Sequence, residues 1–316
     1  MVVTMISMPG GAQTRRPRWR RRPVTTAAVV IAFAGYVALL GLPTEPAQAL
    51  GWLWLTSIGW NPQPGWRAQL RFVLDWAPLL VALMLYDLSR GLARALGTSV
   101  HVLPQIHADQ DLFGQLPTQW LQGHLYDPTH VHWYDVLASF VYFSHFIAAL
   151  TVALVLWLTD RHQWARFVRR LLGLSFAGLM GYVLYPAAPP WLAAQTGQIA
   201  GHVARLSSRG WTAIGLHSAG HALERSQTYA NPVAAMPSLH GAFALLVIAF
   251  FLPRTRRRFW ALLLAYPTAM ALTLIYTGEH YVIDIIAGWI TVGAVYLGIG
   301  RLEAAWPRRT TLGPAS

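Results

Sequence analysis

The stretch FWALLLAYPTAMALTLIYTGEHYVIDIIAGWITVGAVYLGIG, residues 259–300, decides the fold. Two apolar runs, Phe259–Tyr276 and Tyr281–Gly300, are separated only by Thr277-Gly278-Glu279-His280. Each run approaches the ~20 mostly apolar residues that a transmembrane helix needs. A bilayer interior offers no water to backbone N–H and C=O groups, so such runs read as helices that satisfy their own hydrogen bonds. The pair is a helical hairpin with its turn at a membrane surface.

Similar runs lie upstream. Pro23–Thr44 is uncharged, Leu70–Leu88 is interrupted by Asp75, and Val136–Thr159 contains one His. Leu171–Tyr185 leads into Pro186-Ala187-Ala188-Pro189-Pro190, and Leu239–Leu252 stops at Pro253. The chain therefore reads as an all-α polytopic transmembrane helix bundle with about six to eight spans. Pro23–Thr44 is long for the apolar part of a signal peptide and other spans follow it, which favours a retained first helix. His101–His132, rich in His, Asp, Gln and Pro, is expected at the interface. Trp191–Met236 is expected to be a polar loop carrying Arg205, Arg209, Glu224 and Arg225. The layout is then a basic cytoplasmic tail at 1–22, N-terminal spans and an interfacial segment at 23–134, a catalytic membrane core at 135–300 and a tail at 301–316.

Composition agrees with a membrane location. Hydrophobic residues make up 55% and charged residues 11%, against about 25% charged in soluble chains. The 15 Trp fit interfacial belts. The net charge is +12, from 24 basic residues that are all Arg. These Arg lie in short clusters between apolar runs, which suits membrane flanks and argues against nucleic acid as a partner. With no Cys, disulfides, thiolate metal sites and a Cys nucleophile are excluded.

Orientation follows from the Arg clusters. Arg161, Arg166, Arg169 and Arg170 sit in one connection, and Arg254, Arg256, Arg257 and Arg258 in another. One outward and one return crossing separate them, so the positive-inside rule places both in the cytoplasm with Arg308-Arg309. The long loop, His240 and His280 then face the extracytoplasmic side. A seven-span count would leave Arg15–Arg22 outside, against the rule. Either an extra crossing near Ala47–Trp60 or a first segment that does not span restores the parity.

Two segments carry chemistry: Asn231-Pro-Val-Ala-Ala-Met-Pro-Ser-Leu-His240 and Gly278-Glu-His-Tyr-Val-Ile-Asp284. Each puts a His at the mouth of an apolar helix on one membrane face, where ionisable groups are costly and functional by default. His280 and Asp284 are four apart, which on a helix is one face. A carboxylate there fixes the imidazole tautomer and leaves the other ring nitrogen as a nucleophile. His240, on another helix, is placed to protonate a leaving group. Pro237 suits a first helical turn, and Ser238 can cap it and leave N–H groups for a phosphate. The bland alternatives are packing histidines, a plain helix pair at 280 and 284, or a zinc site made by His240, His280 and Asp284.

These residues resemble the second and third signatures of the type 2 phosphatidic acid phosphatase superfamily. Its second signature, Pro-Ser-x-His, is matched by Pro237, Ser238 and His240; the His-x3-Asp of the third is matched by His280 and Asp284. The resemblance covers roughly residues 135–300. It implies that His280 forms a phosphohistidine, that Asp284 orients it and that His240 is the general acid, with no metal and no other cofactor. The first signature, Lys-x6-Arg-Pro, is absent, and its nearest equivalent is Tyr185-Pro186-Ala-Ala-Pro-Pro-Trp191. Leu274 stands where the third signature usually has Arg. Ala-Pro-Pro-Trp, Met-Pro-Ser-Leu-His and His-Tyr-x2-Asp together are similar to the inositol phosphorylceramide synthase-like branch, whose members move a phosphorylated head group between lipids.

Binding candidates for the phosphate are therefore Ser238, Tyr185, Arg205, Arg209 and Arg225. Tyr182 and Tyr276 are weaker ones. Glu279 adjoins His280 but would face away on a helix. His145 is expected to pair with some other buried polar group rather than join the chemistry. The five His between 101 and 132 match no metal-ligand spacing. The expected substrate is a lipid or polyprenyl phosphate held among membrane lipids, with water or a polyol as acceptor. A proton-relay transporter and an inactive membrane scaffold are the rival classes; no pair of similar halves supports the transporter.

Overall fold

The computed structural model describes residues 22–41, 43, 46–60, 65–89, 99–229 and 231–305. Three helices come first: α1 (Arg22–Leu40), α2 (Pro46–Trp60) and α3 (Trp66–Ser89). Two short ones, α4 (Leu103–Phe113) and α5 (Pro117–Leu125), occupy the segment expected at the interface. A long pair follows, α6 (Trp133–Thr159) and α7 (Arg161–Leu184). The expected polar loop contains α8 (Pro190–Gln195), α9 (Arg209–Ala213) and α10 (His217–Tyr229). The chain closes with α11 (Leu239–Phe251), α12 (Trp260–Tyr276) and α13 (Val282–Ala305). Among the described residues there is no β-strand.

Among the described residues, four helical stretches are long and apolar enough to cross a membrane: Trp133–Thr159, Arg161–Leu184, Arg257–Tyr276 and Val282–Ala305. Val24–Leu40 and Leu239–Arg254 are shorter apolar helices. Large apolar side chains on these elements point outward; Leu262 is 74% exposed and Ile290 67%. Water would penalise that face, whereas lipid tails solvate it. The protein is a multi-pass integral membrane bundle.

One boundary differs from the sequence reading. The carboxylate of Asp160 accepts from the backbone N–H of His162 and of Gln163, both at 3.0 Å. That cap starts α7 at Arg161, ten residues before the expected Leu171, because it satisfies amide groups that a new helix would leave open. Arg161, Arg166, Arg169 and Arg170 thus ride on the first turns of α7 rather than in a connection. Arg169 and Arg170 bond Glu303 near the end of α13, at 2.5 and 2.8 Å. Arg161 pairs with Asp75 of α3 and lies over the Trp157 ring. Long stems along apolar surface with heads at helix ends accommodate such charge near a bilayer.

The first helices include the extra helix that the parity would call for. Thr25 Oγ1 near the start of α1 donates to the Gly59 carbonyl near the end of α2, at 2.5 Å. The other end of α1, at Gly41, packs against Ser218 and Ala222 of α10. So α2 runs back alongside α1, and the extra helix over Pro46–Trp60 is present. The start of α1 and the end of α13 then lie at the same end of the bundle. Arg15–Arg21 and Arg308-Arg309 lie outside the described residues.

α11 sits at the centre and packs against α6, α7, α12 and α13. Its contact with α13 depends on Gly288, where a Cβ would meet the Ser238 carbonyl oxygen at 2.4 Å. A side chain at 288 would push apart α13 and the start of α11.

Candidate active site

The site forms where α11 and α13 begin, at the end of the bundle opposite the arginines of α7. Ser238 is the N-cap of α11, and its hydroxyl accepts from the Gly241 N–H at 3.3 Å. Its own N–H donates to the Asp284 carbonyl at 2.9 Å, which ties the two helix starts together. His240 follows in the first turn of α11, as its position after the cap requires.

α12 ends at Tyr276, and the chain turns through Gly278 at φ +75°. Glycine suits that left-handed position, and a Cβ there would also meet the Ala204 carbonyl oxygen at 2.9 Å. The N–H groups of Glu279 and His280 both donate to the Leu274 carbonyl, at 3.0 and 3.3 Å. Leu274, at the position where Arg was missing, is itself a core residue.

This turn presents His280 to His240: Nε2 of His280 lies 3.3 Å from Nδ1 of His240. On the other side of the His280 ring, Nδ1 lies 3.6 Å from Asp284 Oδ2. His280 precedes α13 rather than lying in it, so the pairing comes from the turn and not from a shared helix face. The same Oδ2 accepts the Tyr281 N–H at 3.0 Å. Asp284 therefore caps its own helix while facing the imidazole. Both side chains are buried.

Asp109 of α4 also caps α13, accepting from Val282 N–H at 2.9 Å and Ile283 N–H at 3.0 Å. Burial pushes its carboxyl above the usual carboxylate range, against the pull of those two amides. Nothing in the local sequence around 109 signals a partner more than 170 residues away. α5 acts likewise through Gln122, which donates to the Ala204 and Tyr276 carbonyls at 2.9 and 2.8 Å. The segment expected at the interface thus clamps the turn that carries His280.

Glu279 holds Arg205 in a two-pronged pair, at 2.8 and 3.0 Å, and accepts from Ser207 Oγ at 2.6 Å. The expectation that it faces away assumed a helix, and this residue lies in a turn. Burial works against the Arg205 charge, and the Glu279 carboxylate outweighs it, keeping the guanidinium above its ordinary pKa. Its plane lies over Trp191, 4.6 Å from the ring centroid. Arg205 is thereby brought to the residue beside His280.

The other binding candidates stand elsewhere. Tyr185 stacks on the His101 ring at 3.9 Å, and Ala187 bridges His101 to Ala234, so the proline run borders the second motif. Arg209 donates to the backbone carbonyls of Asp127 and His130 and sits 3.7 Å from Asp135. Tyr276 donates to Asp135 at 2.6 Å. Arg225 is exposed on α10. His145 departs from expectation: its ring lies 4.1 Å from that of His240, and its Nδ1 is buried with no hydrogen-bond partner. Among the described residues, no cluster of three or more acidic or His side chains has metal-holding geometry.

Comparison with known proteins agrees with the motifs. The PAP2 superfamily profile matches residues 106–298. A similar protein is the phosphoinositol dihydroceramide synthase of Bacteroides thetaiotaomicron, 30% identical over 168 residues, or 50% of this chain and 53% of that one. The chain thus spans about half the length of that relative. No solved structure matches. The profile match encloses both capping aspartates, both motif histidines and the Arg205–Glu279 pair, and it covers well over half of the chain: the protein belongs to the PAP2 superfamily.

Proposed function

We propose that this protein transfers or hydrolyses a lipid phosphate through a phosphohistidine formed at His280. The observation that carries the reading is the buried His280 ring, with one nitrogen 3.3 Å from His240 and the other 3.6 Å from Asp284. Asp284 faces the Nδ1–H, which fixes the tautomer and leaves the lone pair on Nε2. That pair attacks phosphorus, forming an N–P bond as the bond to the leaving oxygen breaks, and His240 gives that oxygen a proton. Water or an alcohol then attacks phosphorus, loses its proton to His240, and releases His280. Arg205 and Ser238 stand nearest for the phosphate charge; Tyr185, Arg209 and Arg225 complete the candidate set. Transfer of a phosphorylated polyol head group is the finer reading, supported by the name of the Bacteroides relative.

The deciding experiment incubates the purified protein with lipid phosphates, with and without inositol. Release of phosphate or formation of a phosphoinositol lipid supports the reading; neither product from any substrate rejects it. In the same assay vanadate should inhibit, since it mimics five-coordinate phosphorus. Chelators should leave activity intact. Loss in chelator with rescue by zinc would favour a metal role for His240, His280 and Asp284.

The site is proposed to face the outside of a bacterial plasma membrane, because the Arg clusters gather at the opposite end of the bundle. The chain has no Cys, so single Cys at Gln198 and Thr255 report sidedness. An impermeant thiol reagent on intact cells is expected to label 198 and spare 255. The reverse pattern inverts the topology and leaves the histidine chemistry untouched.

A further inference from the structure

The start of α3, the end of α6 and the start of α7 enclose an open cleft of about 370 Å³, at the end of the bundle opposite the histidines. Sites that hold small molecules span roughly 300–1,000 Å³. Arg67, Arg71 and Arg161 line the cleft with Gly65, Ala68 and Trp157. Three guanidinium groups therefore share one cleft, and one of them is neutralised. Asp75 bonds Arg161 and also accepts from the Trp157 indole N–H at 3.0 Å. It comes one turn after Arg71, yet it faces α6 and α7 instead. Among the described residues, neither Arg67 nor Arg71 has a carboxylate partner. Like charges one turn apart on a helix repel, so an anion held between them relieves a cost that the fold otherwise bears.

The same face of α3 changes character along its length. Arg67, Arg71, Leu74, Val81 and Leu85 advance by whole turns and keep to one side of the helix. Both arginines are exposed, and so are Leu74 at 62%, Val81 at 52% and Leu85 at 41%. Trp66 heads the stripe and is exposed, as suits a residue of the membrane interface. Cations at the interface, with an apolar stripe running on into hydrocarbon, match a molecule with an anionic head and acyl tails. Inorganic phosphate would use the cations and leave the stripe uncovered. A zwitterionic lipid would cover the stripe but bring a further cation to the cleft.

We propose that this cleft binds an anionic phospholipid of the leaflet on the arginine side, with its phosphate between Arg67 and Arg71 and its acyl chains along Leu74 and Val81. Guanidinium groups suit phosphate, and basic pockets between membrane helices hold anionic head groups. The site is separate from the histidines, and the proposal stands whether or not the protein transfers phosphate. A lipid seated there touches α3, α6 and α7 together. Its binding therefore stabilises the packing of α3, whose Phe72 and Trp76 are buried in the core, by mass action.

The test uses the full chain in a neutral detergent, with short-chain phosphatidylglycerol, phosphatidylcholine or inorganic phosphate added. Phosphatidylglycerol should raise the unfolding midpoint by about 4 °C or more and stay on the protein in native mass spectrometry. Phosphatidylcholine and inorganic phosphate should do neither. The double variant Arg67→Gln with Arg71→Gln should weaken retention of phosphatidylglycerol about tenfold or more, equivalent to roughly 1.4 kcal/mol of binding. Ala68→Trp fills the cleft while keeping both charges, and it should weaken retention as well, which guards against a folding defect in the double variant. A control pair, Arg256→Gln with Arg257→Gln, removes two exposed arginines from the connection between α11 and α12 and should retain the lipid. Phosphatidylglycerol that neither binds nor shifts the midpoint overturns the proposal. So does equal retention of phosphatidylcholine, an equal midpoint shift from inorganic phosphate, an equal loss in the control pair, or retention unchanged in both cleft variants.

Discussion

His280→Ala is expected to abolish turnover, a loss on the order of 10³-fold or more, because no other group is placed to form the covalent intermediate. The His280 ring is buried between His240 and Asp284, so its removal deletes the centre of the constellation. His240→Ala should cost roughly 10²–10⁴-fold, the usual worth of a positioned proton donor. It should cost less with a substrate whose leaving group needs no proton, such as an aryl phosphate. His280→Ala should gain nothing from that substrate, which separates nucleophile from acid. Asp284→Asn is the finer probe. The amide oxygen can still accept the Tyr281 N–H that Asp284 now accepts at 3.0 Å, so the start of α13 should hold. What is lost is the carboxylate facing His280 Nδ1, and weak residual activity is the expected result. Turnover near that of the wild type in His280→Ala, from protein that is monodisperse in detergent, would sink the mechanism.

The spans were legible because their signal is length and apolarity, which need no knowledge of the partner. The two histidine motifs were legible because an ionisable group at the mouth of an apolar helix has few inexpensive explanations. The lost information was of another kind. Asp109 and Gln122 hold the turn around His280 from a polar segment whose residues look like any interfacial stretch. Glu279 was misjudged through a helix assumption that Gly278, one residue earlier, breaks. His145 was set aside because a lone His in a span is usually a packing residue; only the crossing of α6 over the start of α11 brings it to His240. In each case the deciding fact is a contact between distant segments, which periodicity cannot report.

The Arg205–Glu279 pair raises the question of whether that arginine binds phosphate or only braces the turn. The side chains are 25% and 6% exposed, so the pair is largely desolvated. Glu279→Ala leaves a buried guanidinium without its carboxylate, a change worth about 3–5 kcal/mol, and the unfolding midpoint should fall on the order of 10 °C. Ser207 still keeps Gln227, which donates to it at 2.7 Å, so the loss should trace to the charge. That result alone does not separate the two roles, because an unstable turn also misplaces His280. The double variant Arg205→Met with Glu279→Leu does separate them. Replacing a whole buried pair with apolar side chains of similar size is often neutral or stabilising. The double variant should therefore recover the lost midpoint. If Arg205 binds phosphate, the recovered protein should still bind vanadate about tenfold more weakly or worse, the equivalent of one charge-assisted hydrogen bond of roughly 1.5–3 kcal/mol. A double variant as stable as the wild type, with unchanged vanadate inhibition and unchanged KM, would make Arg205 a brace. The phosphate charge would then fall to the N–H groups at the start of α11, where Ser238 caps the helix and the positive end of its dipole faces the histidines.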